Sequence, residues 1–148
     1  ARRFTELNPD AAMLAGLLQG VGKLYILSKT PRFPDLLNDP ATRSRLMEGW
    51  HANIARAVLE NWEMADDVVI AVHECEDDDR ERSEVPTLTD VLALARLVES
   101  LPGDPISLEL GLYDSVDAKR LQVDATNCTA VMAESAEQIE SLQRALGD

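Results

Sequence analysis

Apolar positions along the chain recur three and four residues apart far more than they alternate, which predicts helices and no significant sheet. Met13, Leu14, Leu17, Leu18 and Val21 follow that spacing, so residues 12–24 are expected to open the chain with a core helix. Ala12, Ala15 and Gly16 among them are small enough to admit a neighbouring backbone. Asn8 is placed to cap the helix, Pro9 to take the first helical position and Asp10 to complement the positive end of the dipole. Gly20 and Gly22 are expected to end it. The pattern restarts at Lys23 as a short helix with Leu24, Ile26 and Leu27 inward. Pro31 and Pro34 then forbid a regular element, and Phe33, Leu36 and Leu37 are expected to pin the loop.

Asp39-Pro40 repeats the cap-then-proline start. Leu46, Trp50, Ile54 and Val58 fall four apart with Met47 and His51 beside them, which predicts a long amphipathic helix from Ala41 to about Trp62. Arg43, Arg45, Glu48, Asn53, Arg56 and Glu60 mark its solvent face. A third helix follows from Met64 to Glu74, with Asp66 and Asp67 in its first turn and Val68, Val69, Ile70 and Val72 inward. Glu76 to Glu84 is a charge run without an apolar residue, expected as an exposed and mobile loop. Leu88, Val91, Leu92, Leu94, Ala95 and Val98 predict a helix apolar over most of its surface, hence a central one. Leu101 to Pro105 breaks it. Ile106 to Tyr113 alternates weakly, but a lone strand would have no partner, so loop and short helix are expected there. A turn of helix across Val116 to Val123 precedes a surface helix from about Ala125 to Leu146. Its apolar positions Val131, Ile139, Leu142 and Leu146 are sparse, and Glu134, Glu137 and Glu140 lie on one side. The whole reads as an all-α compact bundle of about six to eight helices.

Composition bounds this further. A chain of 148 residues suffices for a single domain with a core of its own. Its net charge of −13 is unevenly placed: residues 1–50 carry seven Lys/Arg against five Asp/Glu, and the rest carry seven against twenty-two. A field of that sign repels phosphate backbones and anionic lipid, which speaks against nucleic acid and membrane surfaces as partners. No uninterrupted apolar run approaches the roughly 18 residues of a membrane span, and no basic-then-apolar leader opens the chain. Cys75 and Cys128 stand alone, without CxxC or His/Cys spacing, as ordinary thiols of a reducing cytoplasm would. The acidic run lacks the alternate-residue ligand spacing and the glycine of a calcium loop.

Three stretches resemble one family in order and spacing. Leu14-Ala-Gly-Leu-Leu-Gln-Gly-Val-Gly-Lys-Leu24 looks like L-A-G-L-L-H-D-I-G-K-L, and Trp50-His51 through Trp62 looks like H-A-x-x-G-x-x-L-L-x-x-W. Ala65 through Glu74 looks like P-x-x-I-x-x-A-I-x-x-H-H. These motifs resemble the HD superfamily of metal-dependent phosphohydrolases, and more closely the HDOD domains of bacterial signalling proteins, relatives of the HD-GYP domains. The resemblance covers about residues 7–100, with Leu92 to Leu97 where the family often reads L-A-D. The helices at 114–146 carry no recognised motif. It implies an HD-like helical fold, and it places Gln19, Gly20, His51, His73, Glu74 and Arg96 where catalytic relatives hold the metal that activates water.

At those positions the chain departs from the catalytic pattern. The His-Asp pair is Gln19-Gly20, a neutral amide that cannot replace an imidazole for a transition metal and a residue with no side chain. Arg96 brings a fixed cation to the late aspartate position. The family's first histidine would fall before Ala1 or among the first residues, where Arg2 and Arg3 stand. No catalytic residue, metal site or cofactor is therefore expected. His51, on the apolar side of its helix, is read as a packed and hydrogen-bonded histidine, and His73 as a structural residue at a helix C-terminus. Trp50 and Trp62 are read as core anchors. Arg96 is expected to pair with Glu74 or Glu99, or to fill the vacated metal position. The expected function is that of a non-catalytic, cytoplasmic signal-transduction module. Its partners would be other signalling proteins or a fused sensor or receiver domain, and a homodimer is a further option. Two alternatives stay open: a divergent phosphohydrolase using His51, His73, Glu74 and the carboxylates from Glu76 to Asp79, and a binder of an anionic nucleotide signal at Arg96 with Lys23.

Overall fold

The computed structural model describes residues 6–34 and 38–146, apart from the side chains at 137–139, 141–143 and 145–146. The helices are α1 (Pro9–Leu18), α2 (Val21–Ser28), α3 (Pro40–Asn61), α4 (Asp66–Glu74), α5 (Leu88–Ser100), α6 (Pro105–Asp114), α7 (Val116–Leu121) and α8 (Ala125–Leu146). A 3-10 turn at Thr30–Arg32 separates α2 from α3, and no strand occurs among the described residues. The all-α reading holds.

Local chemistry sets the helix starts. Asn8 accepts from the Asp10 N–H at 2.9 Å, Asp39 from the Thr42 N–H at 2.9 Å and Asp104 from the Ser107 N–H at 2.9 Å, each ahead of a proline in the first helical position. Thr87 and Asp90 form a reciprocal capping box at α5. The Asp104-Pro105 start also makes Ile106 to Tyr113 a continuous helix, longer than the loop and short helix expected there.

Packing then orders the helices. α1 docks on α4 and α5, α2 on α3, α3 on α4 and α4 on α5. Between them lie Ala15, Ala55, Leu59, Val68, Val69, Ala71, Val72, Leu88 and Leu92. A second cluster of Leu94, Leu112, Ala118, Leu121 and Cys128 joins α5 to α6, α7 and α8. α5 serves both clusters, as its wide apolar surface requires.

The buried faces differ from those the large apolar residues suggest. On α3 the buried stripe is His51, Ala55 and Leu59, one position beyond the expected Leu46-Trp50-Ile54-Val58 stripe, and Trp50 is 59% exposed. Trp62 is likewise exposed, so neither tryptophan anchors the core. The reason lies in Gly22, where an added Cβ would collide with the His51 carbonyl oxygen. Two backbones this close admit only small residues between them, and the bulky ones are displaced outward. On α1 only Ala15 is buried, while Met13 and Leu17 face outward, Leu17 at 75% exposure. On α2 Ile26 is buried but Leu24 and Leu27 are not; Ile70 on α4 and Ala95 on α5 are exposed as well.

Neither glycine ends a helix through a left-handed cap. Gly20 is right-handed, with φ −89°, and caps α2, whereas Gly22 lies inside α2. Phe33 is half exposed and does not pin its loop; Leu36 and Leu37 lie outside the described residues. Pro9–Arg32 does meet the length and mean hydropathy of a membrane span when a window may include charged residues such as Lys23, although no uninterrupted run of that length exists. The chain breaks this segment at Gln19-Gly20 and packs its two helices on separate neighbours.

Candidate functional site

Three helices aim a donor at one carboxylate. Lys23 stands on α2, His51 on the buried stripe of α3 and Arg96 on α5, and Glu76 follows directly after α4. Arg96 Nη1 donates to Glu76 Oε1 at 2.8 Å, Lys23 Nζ reaches the same oxygen at 3.4 Å, and His51 Nε2 lies 3.2 Å from Oε2. Glu76 thereby ties four helices together at the elbow where α1 gives way to α2. Arg96 is thus paired with Glu76 rather than with Glu74 or Glu99.

Burial pushes the His51 imidazole below its ordinary value, and the Lys23 and Arg96 cations push the same way against the opposing pull of Glu76. The neutral ring is therefore favoured at neutral pH, with its Nε2–H donating to the carboxylate. Gln19, at the C-terminal end of α1, has a buried Oε1 with no hydrogen-bond partner. Gly20 has open space where a side chain would sit.

The other two positions point elsewhere. His73 Nε2 lies 3.2 Å from Asn53 Oδ1 on α3. Glu74 lines a separate cavity of about 270 Å³ together with Asp67, Arg80 and Asp90. Of the six positions that the resemblance singles out, the fold joins His51 and Arg96 through Glu76, and it turns His73 and Glu74 away. Among the described residues no group of three His, Cys, Asp or Glu side chains is arranged to hold a metal ion. The donor chemistry agrees: an ammonium and a guanidinium within reach of the cluster's carboxylate repel a dication, and the Gln19 amide is a poor ligand for a transition metal. The residues present do not fit the metal of the hydrolytic relatives.

The acidic run is anchored rather than mobile. Arg80, its side chain only 3% exposed, donates to Asp117 Oδ1 at 2.6 Å, to Asp90 Oδ1 at 3.4 Å and to the Asp77 carbonyl at 3.0 Å. Arg82 approaches Asp117 at 3.4 Å, and Arg120 reaches Asp90 Oδ2 at 3.3 Å and the carbonyls of Ser83 and Val85 at 2.8 and 3.0 Å. Burial raises the Asp90 carboxyl, but the Thr87 N–H and the Arg120 guanidinium outweigh it and hold the group below its ordinary value. Two arginines embedded in a run of acids were the available signal for this network. The thiols of Cys75 and Cys128 are both pushed up by burial, which disfavours the reactive thiolate.

A family model described as HDOD domain matches residues 1–77, which spans α1 to α4 and ends on the residue after Glu76. No curated protein and no solved structure matches the chain.

Proposed function

The chain belongs to the HDOD domain family, and from that premise we propose that it is a non-catalytic signal-transduction module that acts by binding other proteins. One observation carries the reading: the carboxylate at the candidate site is already neutralised by Lys23 and Arg96 and hydrogen-bonded by His51, so the site is closed on itself. A site satisfied in this way holds helices in register and has no free ligand set for a dication that would activate water. Shape and surface remain as the means of transmitting a signal. The partners in this reading are other signalling proteins or a sensor or receiver domain on the same chain, in a bacterial cytoplasm, without nucleic acid or membrane as a target.

The divergent hydrolase finds no support in the geometry, because His51, His73 and Glu74 have separate partners or cavities. The anionic-signal reading needs Lys23 and Arg96 to be available, and both are engaged by Glu76. The test is affinity capture from the source cell with the full-length chain, followed by reconstitution of each captured pair from purified proteins. A saturable, stoichiometric complex supports the proposal. Phosphodiester turnover by the purified chain in the presence of manganese or nickel, with no such complex, overturns it.

A further inference from the structure

A groove of about 270 Å³ runs between α2, the 3-10 turn and α3, lined by Tyr25, Phe33, Leu46, Trp50 and Ile54 with Lys29 at its edge. Its walls are almost wholly apolar. Tyr25, Phe33 and Trp50 are large aromatics left in water within this one groove. Isolated apolar residues on a surface need no explanation, but a cluster of aromatics in a concave site is the composition of a binding hot spot. Lys29 stands over the Tyr25 ring at 4.3 Å, so a cation borders the apolar floor, and Arg32 ends the 3-10 turn immediately before the lining residue Phe33.

A second copy of the same groove offers further apolar surface and a lysine but no carboxylate to meet Lys29, so the groove does not complement itself in charge. It complements an apolar strip that carries carboxylates. By its sequence α8 is a helix of that kind: it carries Glu134, Glu137 and Glu140 against the single cation Arg144, which lies 3.8 Å from Glu140 on the exposed surface, and Val131, Ile139, Leu142 and Leu146 recur at helical spacing. Ala125 and Cys128, near its beginning, belong to the second hydrophobic cluster, and its main neighbour is α6. At about 1.5 Å per residue, its 22 residues extend well past that anchor.

We propose that α8 of a second copy of this chain lies in the groove, with its carboxylates along the Lys29 and Arg32 border. The exchange is reciprocal, so the pair closes on itself and does not propagate. The inference goes beyond the signalling role and stands or falls without it, since a module that binds partners can be monomeric or paired.

Sedimentation velocity of the full-length chain over micromolar concentrations should show a monomer–dimer equilibrium. Trp50→Glu alters an exposed position, and it should raise the dimer dissociation constant by at least about tenfold while the helical circular dichroism is retained. Lys29→Glu with Arg32→Glu should weaken association, and so should Glu134→Lys with Glu140→Lys. All four changes in one chain should restore it, because the charges are then reversed on both sides. A monomer at every concentration overturns the proposal, and so does a dimer indifferent to Trp50→Glu. Loss of the dimer in the groove variants without any effect of the α8 variants, or without rescue in the fourfold variant, overturns the assignment to α8.

Discussion

Gly20 and Gly22 stand two residues apart, and the fold makes opposite demands of them. A Cβ at Gly22 would collide with backbone, the His51 carbonyl, which cannot move without shifting α3. Gly22→Ala is therefore expected to lower stability by about 2 to 3 kcal/mol. Gly20 has open space and a right-handed backbone, so Gly20→Ala should be neutral or raise stability by up to about 1 kcal/mol, through a less disordered unfolded chain. Urea denaturation of both variants checks the pair, and equal losses would contradict the close helix contact. His51 makes a prediction in pH. Its folded value lies below the ordinary 6.5, so the unfolded chain binds the proton more readily. The stability it contributes is present above pH 6.5 and lost as pH falls through that value towards the folded one. The stability difference between wild type and His51→Gln should therefore shrink between about pH 7.5 and about pH 5.5. A difference that grows on acidification would show that the Glu76 carboxylate dominates instead.

At the scale of elements, the segment between α4 and α5 holds the two halves of the molecule together. Asp90→Ala leaves Arg80 buried without one of its carboxylates and removes the capping box of α5. A loss of about 3 kcal/mol or more is expected, against no more than about 0.5 kcal/mol for Asp78→Ala on the exposed part of the same segment. Thermal denaturation of the two variants tests this, and similar melting points would mean that the segment is as loose as its composition suggests. The carboxyl of Asp90 titrates below 3.8 in the folded chain. Its contribution is thus present above pH 3.8 and lost as pH falls through the folded value. The helix starts at Asn8 and Asp39 were legible in the sequence because a cap acts within three residues, whereas the same cap at Asp104 was read as a break. The buried faces were legible only in part: Ala15 meets its neighbours as its size suggests, but Gly22 and Ala55 also sit where helices meet, and Trp50 and Leu17 sit where they do not. Arg80 and Asp117 are 37 residues apart, and no local pattern joins them. At the candidate site, Gln19-Gly20 and Arg96 could be read against a motif, whereas the role of Glu76 emerged only when α2, α3 and α5 converged on it.

At the scale of the whole molecule, α5 links the family-matched part, α1 to α4, with the C-terminal helices, and charge divides the chain at a different place, within α3. The first 50 residues hold +2 and the remainder −15. The groove and its cationic border belong to the first region, the acidic network and α8 to the second. Between them lies the Glu76 cluster, whose closure by Lys23, His51 and Arg96 is the ground for a module without metal chemistry. The most direct measurement of that claim is the metal content of the purified chain after equilibration with manganese, iron, nickel or zinc and removal of the unbound ion. The triple variant Gln19→His, Gly20→Asp and Arg96→Asp is measured beside it. The account predicts far less than one ion per wild-type chain, and little retained by the variant, because His73 and Glu74 are directed away from the cluster. A full equivalent of tightly held metal in the wild-type chain, accompanied by phosphodiester turnover, would contradict it.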